Sequence, residues 1–174
     1  PWGAYTWNNY LFPDPNMTQT WFKALGLRTT ANIHDAAGIC TWEMYYAEAA
    51  KQLGVTNGAN ITANFSDYNY IMALQDIVMK PIEQGADNNN GFDFWWIDGA
   101  GNIDYSGVDP ELWSNYIRST THLRRDENIR GMVLSRYGGY GTHRYPVGFS
   151  GDVDFHPNNG CLLYTSPSPR DSAL

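Results

Sequence analysis

Four short apolar or β-branched runs recur along the chain, and each ends on an ionisable side chain. They are 27–34 (LRTTANIH), 91–98 (GFDFWWID), 131–136 (GMVLSR) and 145–152 (YPVGFSGD). Between them lie segments with helical spacing. In 16–26, Met17, Trp21, Phe22 and Leu25 recur at helical intervals and Gly26 acts as a stop, after a proline-set turn at 11–15. Residues 40–54 read as a helix closed by Gly54. Residues 66–85 read as a long helix capped by Ser66 or Asp67 and bent late by Pro81. Residues 109–126 read as a helix with Asp109 as N-cap and Pro110 in its first turn. Strand and helix alternate, and the strands are nearly continuously apolar. That pattern predicts an α/β fold with a parallel sheet covered on both faces.

Four strand starts in about 125 residues match the pitch of a (β/α)8 barrel, which needs about 250 residues in full. The expectation is therefore a partial (β/α)8 TIM barrel of about four consecutive β/α units. A doubly wound sheet is the rival. No glycine-rich turn follows the first strand, which weakens a dinucleotide-binding reading. Gly138, Gly139 and Gly141 follow the third strand, but no Lys-Ser/Thr pair completes a phosphate loop.

Composition narrows the function. Charged residues are 17% of 174 and hydrophobic ones 43%, which argues against disorder. A net charge of −7 argues against nucleic acid, whose phosphates call for a basic face. No apolar run approaches a membrane span. The histidines at 34, 122, 143 and 156 have no close metal-ligand spacing, so neither a metal nor another cofactor is expected. Aromatics make up 15%, with 7 Trp and 12 Tyr, more than core filling calls for. Such rings suit sugar stacking, so a carbohydrate is the expected partner.

In parallel α/β folds the reacting groups sit at the C-terminal ends of strands. Here those ends carry His34, Asp98, Arg136 and Asp152. Two carboxylates on one rim are the equipment of glycoside hydrolysis: one attacks the anomeric carbon, the other protonates the leaving oxygen. An arginine between them can bind sugar hydroxyls and favour an ionised nucleophile. Asp93, of opposite parity to Asp98 along its strand, reads as structural. Trp95 and Trp96 point to opposite faces, so one packs against helices and one faces the barrel interior.

At this point the motifs YTWNNYLFPDP, ANIHDAAGI, KPIEQG with FDFWWID, and LSRYGGYGTHRYPVGFSGD resemble the catalytic barrel of glycoside hydrolase family 31, the α-glucosidase and α-xylosidase family. The resemblance runs from about Trp2 to Asp152. It implies a retaining mechanism on α-linked glycosides, with Asp98 as nucleophile, Asp152 as acid/base and Arg136 as a sugar-binding residue. His34 and Trp96 join them as candidate substrate contacts. Relatives follow the nucleophile with a large residue; here Gly99, Ala100 and Gly101 follow, a departure at the wall of the sugar pocket. The alternatives are a carbohydrate-binding relative without turnover and a transglycosylase on the same barrel.

Residues 161–171 (CLLYTSPSPRD) break with the rest: aromatic-rich sequence gives way to an aperiodic Ser/Pro stretch. The string resembles a sequencing-library adapter translated in one frame. The expected division is thus 1–160 as partial catalytic domain and 161–174 as a non-native tail. With Cys161 set aside, Cys40 has no intrachain disulfide partner. The piece alone is expected to be a poor enzyme.

Overall fold

The computed structural model describes residues 3, 5–85, 91–98, 110–120, 130–136, 141–145 and 147–149. The chain forms α1 (Pro15–Ala24), β1 (Thr30–Ile33) and α2 (Tyr46–Leu53). A long helix follows in three parts: α3 (Tyr68–Met72), a π-helical segment (Ala73–Met79) and α4 (Lys80–Gln84). Then come β2 (Phe94–Ile97), α5 (Pro110–Ser119), β3 (Val133–Ser135) and β4 (Val147–Gly148). The expected helix cap Asp109, the Gly99–Gly101 departure, Asp152 and the segment 161–174 lie outside the described residues.

The strands pair parallel in chain order, β1-β2-β3-β4. A doubly wound sheet would reverse its strand order at a switch point. Neighbours in strict chain order are instead the arrangement of consecutive barrel units. One register row runs Asn32, Trp96, Leu134, Val147, and the next runs Ile33, Ile97, Ser135, Gly148. The first row and its kin face away from the helices. The second faces them.

Helix ends follow local chemistry. The Asp14 side chain accepts from the Met17 N–H at 2.9 Å, and Pro15 occupies the first turn of α1. Asp67, rather than Ser66, caps α3, accepting from the Asn69 N–H at 2.8 Å. Gly54 ends α2 in the left-handed region, at φ 68°. α2 starts at Tyr46, later than its spacing predicts, because Glu43 has another task. It is buried and accepts from the Tyr5 N–H and the Thr6 hydroxyl, tying the N-terminal segment to the turn before α2.

Pro81 sits inside the long helix, where a proline removes one rung and its ring meets the carbonyl four residues back. The π-helical segment directly before it relieves that crowding. The Lys80 N–H reaches back five residues to the Gln75 carbonyl, which widens the turn. The helix therefore continues to Gln84.

The helix-facing side of the sheet holds the core. Ile33, Trp95, Ile97 and Val133 are buried there against Leu74, Val78, Met79, Ile82 and Ile117. The Trp95 indole N–H donates to Glu83 Oε1 at 2.8 Å, so the ring is locked to α4. The opposite face is half-buried at Asn32, Phe94, Trp96 and Leu134. Burial on both faces, read from the apolar runs, is thus met on one face by helices. The other is the inward face of the barrel sheet. Gly91 is buried where a side chain has no room: a Cβ there would lie 1.9 Å from the Glu83 carbonyl oxygen.

A buried polar cluster joins three distant parts of the chain. The Asp35 carboxylate accepts from the Tyr5 hydroxyl at 2.6 Å, Arg118 Nη2 at 2.8 Å and Ser114 Oγ at 2.6 Å. Both charged side chains are fully buried. Burial works against the Arg118 charge, but Asp35, Tyr5 and Glu83 outweigh it and raise its pKa. The Tyr5 phenol is pushed well above its ordinary value of 10.0, first by burial and then by the nearby Asp35 charge.

Two outcomes follow for stability. Arg118→Met leaves Asp35 as an uncompensated buried charge and should destabilise by about 3–5 kcal/mol, read from urea unfolding. Restoring neutrality with Asp35→Asn in the same chain should recover part of that loss. The Tyr5 phenol is harder to ionise folded than unfolded. Stability from this source is complete below about pH 10 and declines as pH rises above it, because the unfolded chain then releases the proton first. Tyr5→Phe should flatten the alkaline limb of the unfolding midpoint against pH.

Candidate active site

The sheet ladder runs one residue beyond each strand. The Asp98 N–H donates to the Ile33 carbonyl at 3.0 Å, Arg136 N–H to Ile97 at 3.3 Å and Phe149 N–H to Ser135 at 2.9 Å. Backbone pairing therefore delivers His34, Asp98, Arg136 and Phe149 side by side at the C-terminal rim. By strand parity all four point to the inward face, with Asn32, Trp96 and Leu134 one layer below.

Asp98 is the centre of this rim. Arg136 Nε lies 3.1 Å from its Oδ1, an ion pair without hydrogen-bond geometry. Asn32 Nδ2 donates to its Oδ2 at 3.3 Å. His34 Nε2 stands 3.9 Å from the same oxygen, beyond hydrogen-bond distance. The carboxylate is thus gripped from both neighbouring strands, one oxygen by each. All three ionisable groups retain some exposure, 15% for the Asp98 side chain, 19% for Arg136 and 23% for His34. A group that is held yet reachable is what a reacting carboxylate requires.

The guanidinium of Arg136 also lies over the Phe149 ring, 5.3 Å from its centroid, and Trp96 meets the same ring edge-on at 5.6 Å. Phe149 therefore props Arg136 toward Asp98. The Trp96 indole N–H is buried and has no hydrogen-bond partner among the described residues.

Of the residues expected from sequence, His34, Asp98 and Arg136 converge on this rim, with Trp96 one layer below. Asp152 lies outside the described residues. Asp93, expected to be structural, accepts from Arg28 Nη1 at 2.7 Å and the Thr29 N–H at 2.8 Å, joining the starts of β1 and β2. Sequence reasoning missed Asn32 and Phe149. A signal existed for the first: Asn32 is a polar residue in a β-branched run, two before His34 and so on the same face. Phe149, within the fourth apolar run, carries no signal of its own beyond its place before Asp152.

A cavity of about 650 Å3 lies at the other end of the strands, between Trp7, Phe12, Phe22, Ile82, Phe92 and Trp95 and the start of β1. Its lining includes none of the rim residues, so it does not compete as the reacting site. Among the described residues no three His, Cys, Asp or Glu side chains converge to hold a metal ion, and no helix is long and apolar enough to cross a membrane.

Comparison with curated proteins finds no match. Comparison with family models finds one for the Glycosyl hydrolases family 31 TIM-barrel domain, which matches residues 1–158. That span takes in the four parallel strands and the whole described rim, up to and past Asp152. The chain belongs to glycoside hydrolase family 31, its sheet is part of that family's TIM barrel, and its chemistry is glycoside hydrolysis on a carbohydrate substrate.

Proposed function

We propose that residues 1–160 form part of the catalytic domain of a retaining hydrolase for α-linked, α-glucosidase-like glycosides, with Asp98 as nucleophile. The observation that carries this reading is the setting of Asp98. It stands at a strand end on the inward face, with an amide donor on one oxygen and an ion pair to Arg136 on the other.

The chemistry then runs in two displacements. In the first, an Asp98 oxygen attacks the anomeric carbon as the bond to the leaving oxygen breaks, and Asp152 supplies the proton that oxygen takes up. In the second, Asp152 removes a proton from water, the water oxygen attacks the anomeric carbon, and Asp98 leaves as a carboxylate. Two inversions give net retention. Asp152 takes this part on the strength of the SGD motif and its resemblance to the family. Arg136 and His34 contact sugar hydroxyls from either side of Asp98, and the Trp96 ring supplies apolar floor one layer below. Residues 161–174 take no part and are proposed to be a non-native tail.

In the full-length protein, Asp98→Ala should reduce turnover of an aryl α-glucoside by at least about 10^4-fold, with binding retained. Proton NMR of the first-formed sugar should show the α-anomer. A β-anomer would refute the two-step scheme. Asp152→Ala should spare substrates with strongly acidic phenol leaving groups in the first step and slow those with alkyl leaving groups far more. A rate loss independent of leaving-group acidity would remove Asp152 from the acid role.

A further inference from the structure

We infer that Asn32 is a positioning residue for Asp98, setting the rotation of its carboxylate; this rests on the proposed role of Asp98 as nucleophile. The argument begins with geometry. A carboxylate on a strand end turns about its last bond with little resistance. Arg136 Nε faces Oδ1 at 3.1 Å as an ion pair without hydrogen-bond geometry, and a contact of that kind leaves the rotation open. The Asn32 amide at 3.3 Å fixes Oδ2 from the opposite neighbouring strand. His34, at 3.9 Å from the same oxygen, is too far to substitute. With Oδ2 held by the amide and Oδ1 drawn toward the cation, the plane of the carboxylate is set before any sugar arrives.

The chemistry of the donor matters as much as its position. An amide donates without adding charge. A second cation in place of Asn32 would bind the carboxylate more tightly and lower its nucleophilicity. An aliphatic residue would leave Oδ2 without its donor. Among the described residues, the charged or titratable groups facing Asp98 are His34, following β1, and Arg136, following β3; Asn32 supplies the neutral third contact. Asn32 is in register with Trp96, one layer beneath the reacting rim, and so acts through Asp98.

The test uses two near-isosteric variants of the full-length protein, Asn32→Leu and Asn32→Asp. Both keep the volume of the side chain and neither ionised Asp nor Leu donates to Asp98. Asn32 faces away from the helix-packed core, so thermal unfolding should stay within a few degrees of the parent. If Asn32→Asp does not fold, Asn32→Leu carries the test. With an activated aryl α-glucoside, kcat should fall on the order of tenfold to a hundredfold while KM changes little. A packing role would lower the unfolding midpoint and disturb KM along with kcat, and that result overturns the inference. A 5-fluoro-α-glycosyl fluoride trap, followed by peptide mass spectrometry, separates the two levels of the argument. Label on a residue other than Asp98 overturns the nucleophile reading and this one with it. Label on Asp98, with kcat unmoved in the Asn32 variants, overturns the role of Asn32 alone.

Discussion

The in-register parallel pairing of β1, β2 and β3 is the constraint on which the rest of the structure depends. Side chains alternate along a strand, so a slip of one residue in any pairing turns a whole strand over. Ile33, Ile97 and Ser135 share one row, and the ladder bonds to Ile33 and Ile97 extend it to Asp98 and Arg136. The same register that buries Trp95 and Ile97 under the helices sends Trp96 and Asp98 inward. Core packing and site assembly are thus one condition, and a chain that satisfies the first has satisfied the second.

Above that ladder, the Asp35 cluster sets where the loop after β1 can go. Asp35 directly follows His34, and its carboxylate is held by α5 through Ser114 and Arg118. α5 is the helix between β2 and β3, the strands that carry Asp98 and Arg136. A buried charge pair of this kind is not a strong source of net stability, since desolvation offsets most of the attraction. Its contribution is directional. It ties the residue after His34 to α5 at two points.

Much of this was readable in the residues. The four strands lie inside the four apolar runs, and each run's terminal ionisable residue among those described reaches the rim. Alternation of burial along FWWI separates the two tryptophans as parity requires. Less readable were features fixed by distant partners. Glu43 looks like the first turn of a helix until its acceptors are matched to Tyr5 and Thr6, 38 and 37 positions earlier. Asp35 looks like a turn former until Arg118 is brought to it. Pro81 predicts a bend, and the widened π turn that accommodates it has no signature in residue type. The Asn32 contact lay within reach of parity alone, since it required only that a polar side chain inside a strand be asked what it faces.

The separation of the Asp35 partners along the chain has a kinetic side. Arg118 stands 83 positions after Asp35, and Ile97 of β2 stands 64 after Ile33 of β1. Contacts so distant in sequence close large loops before they return any stabilisation, and folds built from them form slowly. During synthesis β1 emerges well before β2, with α2 and the long helix made in between. Through that interval the apolar face of β1 has no strand beside it, and the carboxylate of Asp35 has no guanidinium. Nascent chains of this kind are exposed to association with one another. Asp35, still hydrated at that stage, keeps the end of β1 polar until α5 arrives to bury it.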